Sequence, residues 1–130
     1  MRAKTILIVD RDLGFVFWLG QILDAAGYVA VPARGAVEAA EIVATLRLSV
    51  DVVIAPLTDR GVNGLVKTLR FASPGIQVIA LGGEGDSSVP GRYSETVWQG
   101  PCRRDEAAKS EWLGLLYGLD RSYATSASRA

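Results

Sequence analysis

The sequence predicts a doubly wound α/β fold, with a five-stranded parallel sheet of order 2-1-3-4-5 between two layers of helices. Short apolar runs alternate with segments of helical periodicity along most of the 130 residues. The runs are apolar throughout, which is typical of strands buried on both faces of a sheet. Strands that alternate with helices in short units imply right-handed βαβ crossovers and a parallel sheet. This pattern predicts a flavodoxin-like sheet in three layers, α/β/α.

The first predicted strand is the stretch TILIVDRD, residues 5–12, which runs from apolar residues directly into two carboxylates. It belongs in the middle of the sheet, and its carboxyl end lies where open α/β sheets place their functional residues. A helix is predicted next over residues 13–26. Its apolar side chains recur with a period of 3.6 residues, and Gly27 is expected to end it. The expected buried stripe consists of Phe15, Leu19, Ile22, Leu23 and Ala26.

The middle of the chain continues this alternation with three more predicted strands and two helices. The segments YVAVP, DVVIAP and IQVIAL are predicted strands, and two helices separate them. The predicted strands cover residues 28–32, 51–56 and 76–81. The predicted helices cover residues 35–48 and 62–72. The expected buried side of the first of these helices is Ala39, Ile42, Val43 and Leu46, and that of the second is Leu65, Val66 and Leu69.

The pattern weakens after the fourth strand. Residues 84–94 contain two glycines and a proline, so the fourth helix is predicted to be shortened to a turn or two. Residues 95–99 are a predicted fifth strand, and residues 103–119 a last helix. One domain is therefore expected over residues 1–120, followed by a flexible polar tail, 121–130.

Composition excludes several classes of function. Fourteen basic and fourteen acidic side chains cancel, so no footprint for nucleic acid or a charged membrane is predicted. No apolar run is long enough to span a bilayer. The chain has no histidine, which excludes imidazole as base, ligand or phosphocarrier. Its single cysteine, Cys102, cannot form an internal disulfide and fits a reducing cytoplasm.

Four motifs in order resemble the receiver (CheY-like) domain of two-component response regulators. ILIVDRD is similar to the acidic cluster after that family's first strand, and DVVIAPLTDRGVNGL to its third strand and following loop. VIALGG resembles its fourth strand, and WQGP the fifth strand that ends in Lys-Pro. The resemblance covers residues 4–119. In that family an aspartate after the third strand accepts a phosphoryl group, with Mg²⁺ held by carboxylates after the first strand.

Carried over residue by residue, the resemblance implies a dismantled active site. Asp10 matches the first metal-binding carboxylate, but Arg11 stands at the second, which leaves Asp12 as the only substitute. Pro56 stands at the phosphoacceptor position and offers no nucleophile. Gly82 replaces the hydroxyl, and Gly100 replaces the lysine.

The expected site is therefore vestigial. Asp10 and Asp12 are predicted as remnants of the metal site, with Asp10 more suited to capping the first helix or pairing with Arg11 or Arg60. Arg11 could also occupy the vacant cation position. No enzymatic activity and no cofactor are expected. Mg²⁺ is the one cofactor that the resemblance to the family would allow. Asn63-Gly64 matches a turn after the third strand that belongs to the scaffold.

The predicted function is that of a stand-alone pseudo-receiver in phosphorelay signalling that acts by protein–protein contact without phosphorylation. Its expected partner is a histidine kinase, a phosphotransferase or another response regulator, with a homodimer as a further option. Phe17 and Trp18 on the first helix are the candidate contact residues, although a single exposed aromatic residue such as Phe17 is also common on surfaces without a partner.

Two alternatives stay open. A relocated phosphoacceptor could use Asp59 or Asp12, which covalent labelling would detect. A small anion or nucleotide could bind the glycine-rich loop Gly82–Asp86 through backbone amides, although the loop lacks both common nucleotide-binding fingerprints. Cys102 as a redox centre is disfavoured, since no second cysteine can resolve an oxidised form.

Overall fold

The computed structural model describes residues 3–58, 61–81, 97–100 and 108–128, in which strands and helices alternate along the chain. The apolar runs form strands and the periodic segments form helices. The elements are β1 (Thr5–Val9), α1 (Leu13–Ala25), β2 (Val29–Ala33), α2 (Ala36–Leu46), β3 (Val52–Ala55), α3 (Val62–Ala72), β4 (Gln77–Ala80), β5 (Val97–Gln99) and α4 (Lys109–Ser128).

The strands form a parallel sheet in the order β2-β1-β3-β4-β5. β1 lies between β2 and β3, with Leu7 opposite Val31 on one side and opposite Val53 on the other. β5 comprises Val97–Gln99 and pairs with β4. The predicted α/β fold with a parallel sheet and helices on both faces is thus confirmed.

The core consists of one apolar layer on each face of the sheet. Side chains of β1 alternate between them, with Ile6 and Ile8 on one face and Leu7 and Val9 on the other. The first layer is completed by α1 and α4, which contribute Phe15, Val16, Leu19, Leu23, Trp112 and Leu116. The second is completed by α2 and α3, which contribute Ala39, Leu65, Val66 and Leu69.

Most of the predicted helix stripes are buried. Of the α1 stripe, Phe15, Leu19, Ile22 and Leu23 are buried, whereas Ala26 is the exposed C-cap residue. The α2 stripe ends earlier than predicted. Leu46 is 62% exposed because α2 stops at that residue and Arg47 adopts a left-handed conformation with φ 50°.

Gly27 ends α1 as predicted. Its φ of +97° lies in the left-handed region that residues with a Cβ rarely adopt. Its N–H donates to the carbonyl of Asp24, and the N–H of Tyr28 donates to the carbonyl of Leu23. These two bonds satisfy carbonyl groups that the last turn of a helix would leave without partners.

α4 extends beyond its predicted end at residue 119 and continues to Ser128. The predicted polar tail therefore contributes a further stretch of helix, which its alanine and serine residues permit; its flexibility stays a prediction. The shortened helix expected over residues 84–94 lies outside the described residues. In the part of the chain that is described, no helix is both long and apolar enough to cross a bilayer.

Candidate functional site

The carboxyl ends of the strands meet along one edge of the sheet, and hydrogen bonds continue there past the strands themselves. The N–H of Asp10 donates to the carbonyl of Ala33 over 3.1 Å. Further along the edge, the N–H of Leu81 donates to the carbonyl of Ala55 over 2.9 Å, and that of Gly100 to the carbonyl of Ala80 over 2.8 Å. The edge carrying the candidate residues is thus tied together by backbone bonds.

Asp10 and Asp12 lie on this edge in different environments. Asp10 is buried, and its Oδ1 accepts a hydrogen bond of 2.9 Å from the backbone N–H of Asp12. Asp12 is exposed and is the N-cap residue of α1, where its Oδ1 accepts from the N–H of Phe15 over 3.1 Å. The interpretation of Asp10 as the cap of the first helix is therefore wrong, since Asp12 has that role.

Asp10 and Asp12 are the two carboxylates that the resemblance assigns as remnants of a metal site. One oxygen of each is already engaged by a backbone N–H, and Mg²⁺ favours an octahedral shell of oxygen ligands. Among the described residues, no group of three or more acidic, cysteine or histidine side chains could hold a metal ion. Arg11 is exposed. The assignment of Asp10 and Asp12 as vestigial ligands stays a prediction.

Pro56 directly follows β3. In the register of β1 with β3, Ile8 lies opposite Ile54, so two further residues along each chain bring Asp10 and Pro56 to neighbouring places on the edge. Pro56 is half-buried. Its side chain is a closed ring of carbons with no group that could carry a phosphoryl group.

Gly100 is a buried residue just after β5. A Cβ atom at this residue would lie 3.0 Å from Cγ2 of Ile79 and 3.1 Å from Cη2 of Trp112. Asn63 and Gly64 lie in the first turn of α3, not in a turn before it. Asp59, the loop 82–86 and Cys102 fall outside the described residues.

Phe17 lies on the opposite side of α1 from the core and is 56% exposed. With Pro32 of β2, it separates two adjoining depressions of about 330 Å³ each, which together we call the Phe17 surface. One depression is lined by Ile8, Val16, Gly20, Gln21, Asp24 and Ala30, and the other by Leu13, Ala33, Arg34 and Glu38.

Trp18 does not share this surface. It is half-buried and packs against the core, with its ring centroid 6.1 Å from that of Phe15. The predicted pair of contact residues is therefore divided between a surface and the core. Successive side chains on an α-helix point about 100° apart around its axis. Phe17 can therefore face the surface while Trp18 packs against the core.

The charged rim of the Phe17 surface contains one ion pair at the start of α2. Nε of Arg34 donates to Oε2 of Glu38 over 3.0 Å, and the backbone N–H of Arg34 donates to Oε1 over 3.1 Å. The backbone hydrogen bond is the main cause that lowers the pKa of Glu38, with help from the guanidinium. The ionised carboxylate of Glu38 thus holds the backbone of Arg34 in place just before α2 begins.

Sequence reasoning did not find two features of the site. The close approach of Trp112 to Gly100 joins residues on separate elements, and no local sequence pattern predicts it. The second feature is Pro32, which lines both depressions of the Phe17 surface. Pro32 lies there because β2 lies beside α1 in the folded protein, and the sequence alone does not show this.

Comparisons with known proteins agree on the fold. A scan against models of protein families finds no match, and neither does a search of curated proteins. Among solved structures, the signal receiver domain of an HD domain-containing protein from Pseudomonas fluorescens is 23% identical with a TM-score of 0.71, covering 100% of this chain and 96% of that one.

Two further structures are similar. The chemotaxis protein CheY4 of Vibrio cholerae is 19% identical with a TM-score of 0.64, covering 92% of this chain and 98% of that one. A putative response regulator from Chloroflexus aurantiacus is 26% identical with a TM-score of 0.54, covering 67% and 73% of the two chains. At these levels of identity, what is shared is the fold.

Proposed function

We propose that this chain, which has the fold of response-regulator receiver domains, acts in two-component signalling by binding another protein without being phosphorylated. The partner would be a histidine kinase, a phosphotransferase or another response regulator, and the site of action the cytoplasm. The fold supports a role in signalling of this kind, and the residues at the sheet edge support the absence of phosphoryl chemistry.

The observation that carries the proposal is Pro56 at the end of β3. It is brought beside Asp10 by the register of the two central strands, at the edge where open α/β sheets carry out their chemistry. Phosphoryl transfer to protein needs a nucleophilic oxygen or nitrogen at this place, and proline has neither. Asp12, which the sequence analysis left open as an alternative acceptor, is exposed, and its Oδ1 accepts the hydrogen bond that caps α1.

The Phe17 surface is the candidate contact with the partner. It combines an exposed aromatic ring with a proline and small residues that leave room on either side of the ring. Aromatic side chains are enriched in protein interfaces because they bury a large area at a low cost in conformational entropy. Arg34 and Glu38 supply a polar rim.

Intact-protein mass after incubation with acetyl phosphate and Mg²⁺ tests the absence of phosphorylation. We expect no added phosphoryl group in the wild type or in Asp10→Asn, Asp12→Asn and Asp59→Asn, whereas a working receiver domain in the same buffer becomes labelled. A stoichiometric adduct that disappears in one of the three variants would show that the acceptor has moved, and the proposal would be wrong.

Binding through α1 is tested with Phe17→Ser against Phe71→Ser. Phe71 is 92% exposed on α3, so the two variants remove the same ring from different surfaces. We expect Phe17→Ser to abolish capture of the partner from a purified panel of the organism's kinases, phosphotransferases and response regulators, and Phe71→Ser to retain it. Equal capture by both variants would exclude the Phe17 surface. A dimer that only Phe17→Ser dissociates would identify the partner as a second copy of the chain.

A further inference from the structure

A side chain at the end of β5 would be crowded from three directions. A Cβ atom placed on Gly100 would meet Cγ2 of Ile79 at 3.0 Å, Cη2 of Trp112 at 3.1 Å and the carbonyl oxygen of Ala80 at 3.2 Å. Ordinary carbon contacts in a packed interior are about 3.5–4.0 Å. Gly100 cannot easily withdraw, because its own N–H is bonded to that carbonyl over 2.8 Å.

Of these three neighbours, Trp112 is the one that reaches in from another layer. Its indole is fully buried, and its ring centroid lies 6.0 Å from that of Phe15 on α1. Within the described part of the chain, its Nε1 has no hydrogen-bond partner. A buried tryptophan usually donates this proton, so the packing of Trp112 is determined by the shape of the ring and not by hydrogen bonding.

We propose that Trp112 and a side chain at position 100 compete for one space between β5 and α4. Cη2 of the indole lies 3.1 Å from the place that a Cβ would take. This has a consequence for the lysine that the resemblance places here: at Gly100 it would be crowded by the indole as long as Trp112 is present. The proposal concerns packing alone, so it can fail or succeed whether or not the Phe17 surface binds a partner.

Four proteins test the proposal by thermal unfolding: the wild type, Gly100→Ala, Trp112→Phe and the double variant. Phenylalanine keeps an aromatic ring but lacks the Cη2 atom, and it loses no hydrogen bond to the described residues. We expect Gly100→Ala to lower the Tm of the wild type by about 5 °C or more, as overpacking does. In the Trp112→Phe background, Gly100→Ala should lower the Tm by at most half as much. The remaining loss would come from Ile79 and the carbonyl of Ala80, which still crowd the added Cβ.

Gly114→Ala is the matched control, because a Cβ there meets nothing within 4 Å although Gly114 lies on the same helix as Trp112. Its effect should be the same in both backgrounds. A Gly100→Ala loss that stays above half its wild-type value in the Trp112→Phe background overturns the proposal. Should Gly100→Ala fail to fold, a folded double variant supports the proposal and an unfolded one contradicts it.

Discussion

The backbone N–H of Asp12 donates a 2.9 Å hydrogen bond to Oδ1 of Asp10, which links the two carboxylates at the end of β1 through the chain between them. Asp12 then accepts from the N–H of Phe15 and so begins α1. One acidic residue orders the loop and the other caps the helix. This division of roles leads to the first of five predictions.

Replacement of Asp12 by alanine removes the N-cap of α1. We expect a loss of about 1 kcal/mol in the free energy of unfolding, because the N–H of Phe15 is left without its acceptor. Asp12→Asn is the control, since its amide oxygen can still accept this bond. Urea unfolding of both variants provides the measurement, and equal stability of Asp12→Ala and the wild type would contradict the assigned cap.

Gly27→Ala should destabilise the protein by about 1 kcal/mol, because φ at this residue is +97° and a Cβ is strained there whatever space surrounds it. Gly75→Ala is the matched control: it also meets nothing within 4 Å, but its φ lies outside the left-handed region. Urea unfolding should show no loss for Gly75→Ala. Equal losses at both positions would mean that strain at Gly27 is not the cause.

Glu38 should make the stability depend on pH. Its pKa in the folded protein is lowered below the ordinary value of 4.5, so its ionised form contributes stability that is present above that value and is lost as the pH falls through the folded pKa. We therefore expect Glu38→Gln to be less stable than the wild type at pH 7, with the difference in Tm shrinking below about pH 4.5. The pair is exposed, so the effect is small. A difference that does not change with pH would rule out the carboxylate as its source.

Substitution of Phe15 should cost much more stability than substitution of Phe17, although the two residues are only two positions apart. Phe15 is 3% exposed, and Phe15→Ala should cost about 3–5 kcal/mol in urea unfolding. Phe17→Ser should cost less than about 1 kcal/mol, since its ring is mainly in solvent. If Phe17→Ser unfolded the domain as Phe15→Ala does, its side chain would be structural and the Phe17 surface would lose its support.

Removal of residues 121–130 should leave the domain folded. The described buried residues of this last segment, Ala108, Trp112, Leu116 and Leu119, all precede the cut. We expect a loss of helical signal in circular dichroism that matches the missing turns, with a change in Tm below about 3 °C. A larger fall in Tm would show that the end of α4 packs against the rest of the domain.

The fold was largely predictable because its information is local. Continuous apolar runs identify strands buried on both faces, and the stripe through Phe15 and Leu19 identifies the buried side of α1. Gly27 was predictable because a helix ending with positive φ favours glycine. The end of α4 was not, since its small polar residues suit a helix or a tail equally well.

The sequence predicts which residues lie at the candidate site, but it does not predict most of the contacts that their side chains make. The neighbouring strand ends bring Asp10 and Pro56 together through register alone. The cap at Asp12 could have been predicted, since an aspartate directly before the first helical residue is typical of an N-cap, whereas the bond from its N–H to Asp10 could not. The fit of Trp112 against Gly100 depends on the crossing of α4 over the sheet, which only packing determines.

Pro32 limits how other molecules can attach to the outer strand β2. The N–H of Val29 and the carbonyl of Ala33 face β1, so the alternation of a strand directs the backbone of Pro32 away from the sheet. A proline there has no N–H to offer an incoming strand. The exposed edge of the sheet is thereby less suited to edge-to-edge aggregation, and we expect a partner at this edge to bind by side-chain contact and not by adding a sixth strand.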